Sequence, residues 1–398
     1  MIVPSPTTGA ELFAARRDAL FALARQRALG AVVVFGHGSA LGAGTASHGA
    51  LRFLSGWDSR ESPSLLVITP DRTHLLVGSP FMLPLARQLR RDLVIHDVRP
   101  DGWGAVLATL LPSGEAVGTI GFAEMPLRIH DAMVGVRPGR DPSLDLELSR
   151  LRLVKDEVQL RRHRAAAALC DELFAALGKE LSNRRPAWQI QLDLETQARR
   201  NGAEYCRTWL TIAPEADYCR YWREETERIP EPGDQVLLGV ALTLDGHWGH
   251  GIRMGSIGPQ KPEHAALAAQ VEAMLVAGMA ALRPGLPLAG VEAAMEARLR
   301  DGALLAAHPD MVRFRGGHGL GFSYEEPLLT EAFRQHFDRA APPATDHGIE
   351  LAGGMLFELH PNIFLPGLGG AALGEMVLVT PEGPECLLRF PRACAVWP

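Results

Sequence analysis

The chain has 398 residues, 47% of them hydrophobic and 22% charged, with a formal net charge of −6 at neutral pH. That length is ample for two domains with separate cores, and the interspersed charges argue against a basic nucleic-acid surface or an acidic tail. The five cysteines (Cys170, Cys206, Cys219, Cys386 and Cys394) have no CxxC spacing, which fits reduced thiols rather than a disulfide framework.

The N-terminus lacks the apolar core of a signal peptide, and no apolar run reaches the ~18 residues of a membrane span. A cytoplasmic protein without membrane or nucleic-acid partners is expected.

In chain order, residues 11–29 have helical periodicity and AVVVFG after them reads as a short buried strand. LRFLSGWDSR, SLLVITPD, RTHLLVGS and DLVIHDVRP read as further strands. Helical PFMLPLARQLRR lies between the last two, and TPDRT is a hairpin turn. VGTIGFAEMP is another strand. These elements predict a small α/β domain over residues 1–150.

From residue 147 the character changes. One long helical run reaches about residue 181, and a second helix follows a break at Asn183–Pro186. CRTWLTIAP is a strand, and LDGH turns Gln235–Leu244 back onto His247–Met254 as a hairpin. Helices over 262–282 and 289–301 precede two Gly/Pro-punctuated segments, GGHGLGFSYEEP and GGMLFELHPNIFLPGLGGAALGEMVLVT. This is the second domain, residues 151–398. In FELHPNIF, Glu358 and His360 are two apart and share one face of a strand. Buried ionisable groups need partners, so this stretch is expected to floor a pocket.

The order of these segments resembles the creatinase/prolidase/aminopeptidase P family. It does so through PGD before the hairpin, GHGLGF, and GGM…GLGG…VLVT at the end. The resemblance covers nearly the whole chain. It implies an α+β fold: a creatinase-like N-terminal domain followed by a pita-bread catalytic domain. Metallopeptidases of that family hold two divalent metals through Asp, Asp, His, Glu and Glu. Carried over position by position, the first Asp falls on Gly239, the second on His250 and the first Glu on His360. The last Glu falls on Gly374, beside Glu375. Only the family histidine is retained, as His318, and Arg253 matches the family's hairpin arginine. The second family histidine falls on Tyr324 or Glu325, depending on the direction of counting. A loop with Tyr218, Cys219, Arg220 and Tyr221 stands where the family has another histidine.

The resemblance therefore argues against a dinuclear manganese or cobalt site and against ordinary aminopeptidase P or prolidase activity. It brings His250, His318 and His360 together, with Glu358 beside them. Three imidazoles and an open position suit one divalent transition metal, zinc, iron, copper or nickel. The other reading is that these are hydrogen-bonded pocket histidines. A metal-free reaction like that of creatinase would need His318 or His250 as acid/base.

The expected catalytic residues are His318, His250 and Glu358, and the expected metal ligands His250, His318 and His360. Tyr324, Glu325, Arg253, Tyr218 and Arg220 are candidates for substrate binding. His247 is expected at a surface or interface, and His163 and His347 in structural or solvated positions. Family members often form homodimers in which the segment matching Trp57 and Asp58 approaches a partner's site, which implies a homodimer here.

The expected function is hydrolysis of a C–N bond in a small amino-acid-like, amide or amidine substrate. The alternatives are a mononuclear three-histidine enzyme of another class, such as an oxygen-using one, and a non-catalytic pita-bread binding protein.

Overall fold

The computed structural model describes residues 6–134, 142–218, 225–301, 304–338 and 340–398, with the side chains of 6–8 and 134 excepted. These residues form two compact units. The first is 1–152 with 322–325, and the second is 153–321 with 326–398.

In the first unit, helix α1 (Pro6–Gln26) leads into strand β1 (Leu29–Gly36). Helix α2 (Ala46–Ser55) precedes β2 (Ser64–Ile68) and β3 (Thr73–Val77). Next come α3 (Leu83–Leu89), β4 (Val94–Asp97), α4 (Trp103–Leu110) and β5 (Ala116–Ile120). Helices α5 (Leu127–Val134) and α6 (Asp145–Leu151) end it. The sheet order is β4-β3-β2-β1-β5, with β1–β5 and β3–β4 parallel. β1 reads as an unbroken apolar run because both its faces are covered. Val32 and Val34 join one cluster; Ala31, Val33 and Phe35 join the other.

LRFLSGWDSR is not a strand. Thr45 caps α2 by accepting from the His48 amide, and Gly56 ends it with φ 64°. The apolar run between those two signals is helical. Trp57 then enters the core, 1% exposed, with its indole N–H on Ser64 Oγ at 3.2 Å. Asp58 is taken up by the Ser39 and Arg60 amides and by Arg52.

The second unit begins with α7 (Glu157–Ser182) and α8 (Ala187–Arg200). The helical run expected from residue 147 is cut before α7 by a capping box. Asp156 accepts from the Gln159 amide at 2.9 Å, and the Gln159 side chain accepts from the Asp156 amide at 3.2 Å.

β6 (Tyr205–Ala213), β7 (Gln235–Leu244) and β8 (His247–Ile257) form a meander, joined on its far edge by β15 (Ala395–Trp397). Asp245 and Gly246, both at positive φ, make the β7–β8 turn. Between β8 and β15 come α9 (Pro262–Ala281), α10 (Ala289–Asp301) and β9 (Gly317–Gly319). They are followed by β10 (Leu356–Leu359), β11 (Asn362–Leu365), β12 (Gly369–Ala372), β13 (Glu375–Thr380) and β14 (Gly383–Cys386). The second sheet runs β14-β13-β10-β9, and a bridge from Ile252 to Gly374 ties it to the meander.

Among the described residues, α9 alone is long and apolar enough to cross a membrane, contrary to the reading that no segment is. It buries Leu267, Val271, Met274 and Leu275 and packs on α10 and β12.

Candidate active site

Three strands bring the histidines together. His250 lies opposite Ala241 across the β7–β8 hairpin. His318 on β9 lies opposite Glu358 on β10, so both side chains share one face. His360 follows two residues after Glu358, and its amide donates to Gly316 O at 2.8 Å. Asn362 fixes the turn by donating to the His360 carbonyl at 3.0 Å and accepting from the Phe314 amide at 2.8 Å.

Glu358 Oε2 is 3.3 Å from His360 Nε2, 3.4 Å from His250 Nδ1 and 3.8 Å from His318 Nε2. The His250 and His318 rings stack with centroids 5.3 Å apart. All four side chains are buried.

Electrostatics follows from that burial. Desolvation pushes the Glu358 carboxyl above its ordinary range, against the pull of His360, His318 and Arg253. Desolvation drives His360 down to about 3, so its ring is neutral near pH 7 and offers a lone pair. His318 Nδ1 lies 3.1 Å from Gly319 O. A carbonyl only accepts, so in the neutral ring Nδ1 carries the proton and Nε2 turns its lone pair toward Glu358.

Two glycines shape the walls. A Cβ on Gly239 would stand 2.0 Å from Nε1 and Cε2 of Trp209, its cross-strand partner. The Trp209 ring centroid is 5.4 Å from that of His250. A Cβ on Gly374 would stand 2.3 Å from Glu358 Oε1.

The region from α7 to β13 is where known proteins match. Residues 161–381 fit the model of metallopeptidase family M24. The chain belongs to this family. A probable dipeptidase PepE from Mycobacterium bovis is 27% identical over 305 residues, 75% of this chain and 74% of that protein. The solved dipeptidase PepE of Mycobacterium ulcerans is similar with a TM-score of 0.74 and 24% identity, over 97% of this chain and 98% of that one. A prolidase from Thermococcus sibiricus gives 0.78 at 16% identity, over 96% and 99%. The fold is the pita-bread fold of the prolidases, preceded by the smaller α/β unit.

M24 enzymes bind divalent metals, and the residues present offer ligand atoms for such an ion. His250, His318 and Glu358 each offer a ligand atom within 4.8 Å of the others, and His360 Nε2 faces the same carboxylate oxygen. Gly239 and Gly374 offer no side-chain ligand, and Trp209 and Glu358 fill the space beside them.

Arg253 is three residues from His250 on β8 and so points to the opposite face, against the Phe174 ring of α7. Its N–H groups go to Ile252 O, Gly374 O, Phe390 O and Glu375 Oε2. With its five donors engaged, it is a buried brace, and the substrate role expected of it is corrected. Desolvation pushes its partner Glu375 up to about 7, with Arg253 pulling the other way.

Tyr218 is exposed and donates from Oη to Glu225 at 2.6 Å. Arg220 and Cys219 lie outside the described residues. Tyr324 and Glu325, half-buried, belong to the 322–325 segment of the first unit. His247 is not a surface residue. It is 2% exposed and packs edge-on against His163 at 5.1 Å. His347 pairs with Glu331.

Trp209 was not singled out from the sequence. Its signal was available in the register, because pairing CRTWLTIAP with QVLLGVAL sets a tryptophan opposite the glycine.

Proposed function

We propose that the protein hydrolyses a C–N bond in a small dipeptide-like or amino-acid-like substrate at the centre formed by His250, His318, His360 and Glu358. The observation that carries this reading is the convergence of three buried imidazoles on the Glu358 carboxylate, in the unit that matches family M24. The dipeptidase name of the mycobacterial relative agrees with the substrate class.

His250, His318 and His360 would hold one divalent transition metal, whose bound form supplies Lewis acidity toward a carbonyl oxygen and acidifies water. The chain's own contribution is to present the imidazoles, that of His360 held neutral by burial and that of His318 with Nδ1 toward the Gly319 carbonyl. It also keeps a carboxylate beside the reacting centre and excludes bulk water by burial. Tyr324, Glu325, Tyr218 and Arg220 remain the proposed substrate-binding residues. A cytoplasmic homodimer is the proposed setting.

The test is a panel of dipeptides, amides and amidines incubated with the purified chain, with release of free amine measured. Turnover that disappears with a chelator and in His318→Ala supports the reading; chelator-insensitive turnover, or none on any substrate, overturns it. A second reading rests on the three-imidazole donor set, which also suits redox metals. Substrate-dependent oxygen consumption in place of amine release would favour it.

A further inference from the structure

Glu358 is completely buried, and neither of its carboxylate oxygens accepts a hydrogen bond among the described residues. Oε2 faces the three imidazoles, and Oε1 turns toward Gly374. The guanidinium of Arg253, whose charge reaches Glu358, has its N–H groups engaged elsewhere. A buried carboxylate in this state lacks the hydrogen-bond donors that such groups require. The three imidazoles beside it each offer a ring nitrogen as a lone-pair donor. Three imidazole nitrogens and one carboxylate oxygen around a point form a donor set for a divalent first-row metal ion.

The walls decide how many ions fit. Gly374 admits the carboxylate, because a Cβ there would strike Oε1. Beside His250, the Trp209 indole lies on the α-carbon of Gly239, so position 239 projects no ligand and the space above it is filled.

We infer that the centre takes a single divalent transition-metal ion per chain with Glu358 as its anionic ligand, and that Trp209 closes the space from which a second ion would be held. This rests on the reading of the centre as a metal site. It goes further by giving Glu358 to the metal rather than to proton transfer, and by assigning Trp209 a part.

The test uses the chelator-treated full chain, titrated calorimetrically with Co²⁺, and in a second series with Cu²⁺ while tryptophan emission is followed. One Co²⁺ per chain is expected. Glu358→Gln should weaken Co²⁺ binding by more than ~100-fold, beyond the ~10–100-fold that loss of an outer-shell partner costs. Trp209→Phe should leave one Co²⁺ per chain but remove most of the Cu²⁺ quenching. If Glu358→Gln does not fold, Gly374→Ala replaces it, with Co²⁺ binding expected to weaken by at least ~10-fold as the carboxylate is displaced.

Two ions per chain, a smaller loss in these variants, or unchanged quenching in Trp209→Phe each overturn the inference while leaving a metal site standing. A parent chain that binds neither ion overturns the metal site itself, and the inference with it.

Discussion

Trp209 and Gly239 face each other across β6 and β7, and the indole occupies the volume that any side chain at 239 would need. The two residues are therefore one feature of the site. An acidic ligand cannot be restored at 239 while the tryptophan stands.

Gly239→Asp should accordingly destabilise the protein. Overpacking costs ~1–3 kcal/mol, and a carboxylate forced against the indole adds desolvation, so a loss of at least ~3 kcal/mol is expected. Chemical denaturation checks this. Trp209→Ala combined with Gly239→Asp should recover part of the loss, because the clash is gone. A double variant no more stable than Gly239→Asp would show that the indole is not the obstacle.

His250→Ala and His318→Ala should each remove metal-dependent stabilisation. A ligand that binds only the folded state stabilises it by ~2.7 kcal/mol at a free concentration of 100 Kd. The parent chain should melt higher with Zn²⁺ than with chelator, and both variants should melt alike in the two. A Zn²⁺ response surviving in both variants would place the ion elsewhere, for instance at Glu292, Glu296 and His336.

Much of this was legible in the sequence, and the failures are specific. The β7–β8 hairpin was readable because Asp-Gly forces positive φ at both turn positions. The meeting of His250, His318 and His360 followed from the family frame. What was lost depended on faces and neighbours. Arg253 sits at a family position, yet alternation along β8 turns it toward α7, where it is consumed by carbonyls and Glu375. Trp209 was invisible because its role exists only in cross-strand register. LRFLS looked like a strand by apolarity, but Thr45 and Gly56 bracket it as a helix.

Arg253→Ala should therefore behave as a stability variant. Removing one partner of a buried ion pair leaves the other uncompensated and costs ~3–5 kcal/mol. Glu375 would lose its guanidinium partner, keeping only the Leu388 backbone bond and the charge of Arg392, and urea denaturation should show the loss. If the purified enzyme is active, KM should stay within about threefold, since the guanidinium points away from the histidines. A large rise in KM with unchanged stability would restore the substrate role.

His163 gives a pH dependence of defined sign. It is wholly buried, its Nδ1 lies 2.9 Å from Trp248 O, and Nε2 has no hydrogen-bond partner. Burial lowers its pKa from 6.5 to about 4, with the Trp248 carbonyl opposing and Lys155 assisting. Between pH 6.5 and 4 the unfolded chain thus binds a proton that the folded chain refuses. This contribution to stability is fully present above 6.5 and falls as the pH drops toward 4, by roughly 3 kcal/mol in all. Glu375, raised to about 7, acts in the opposite sense over much of the same range, so the parent profile alone does not isolate His163. The difference between parent and His163→Gln does. Measured by urea denaturation at intervals from pH 7.5 to 4, the parent should lose stability relative to the variant as the pH falls, with a flat difference above 6.5. A difference flat across the whole range would mean that the ring accepts its proton in the folded state and that burial does not hold it neutral.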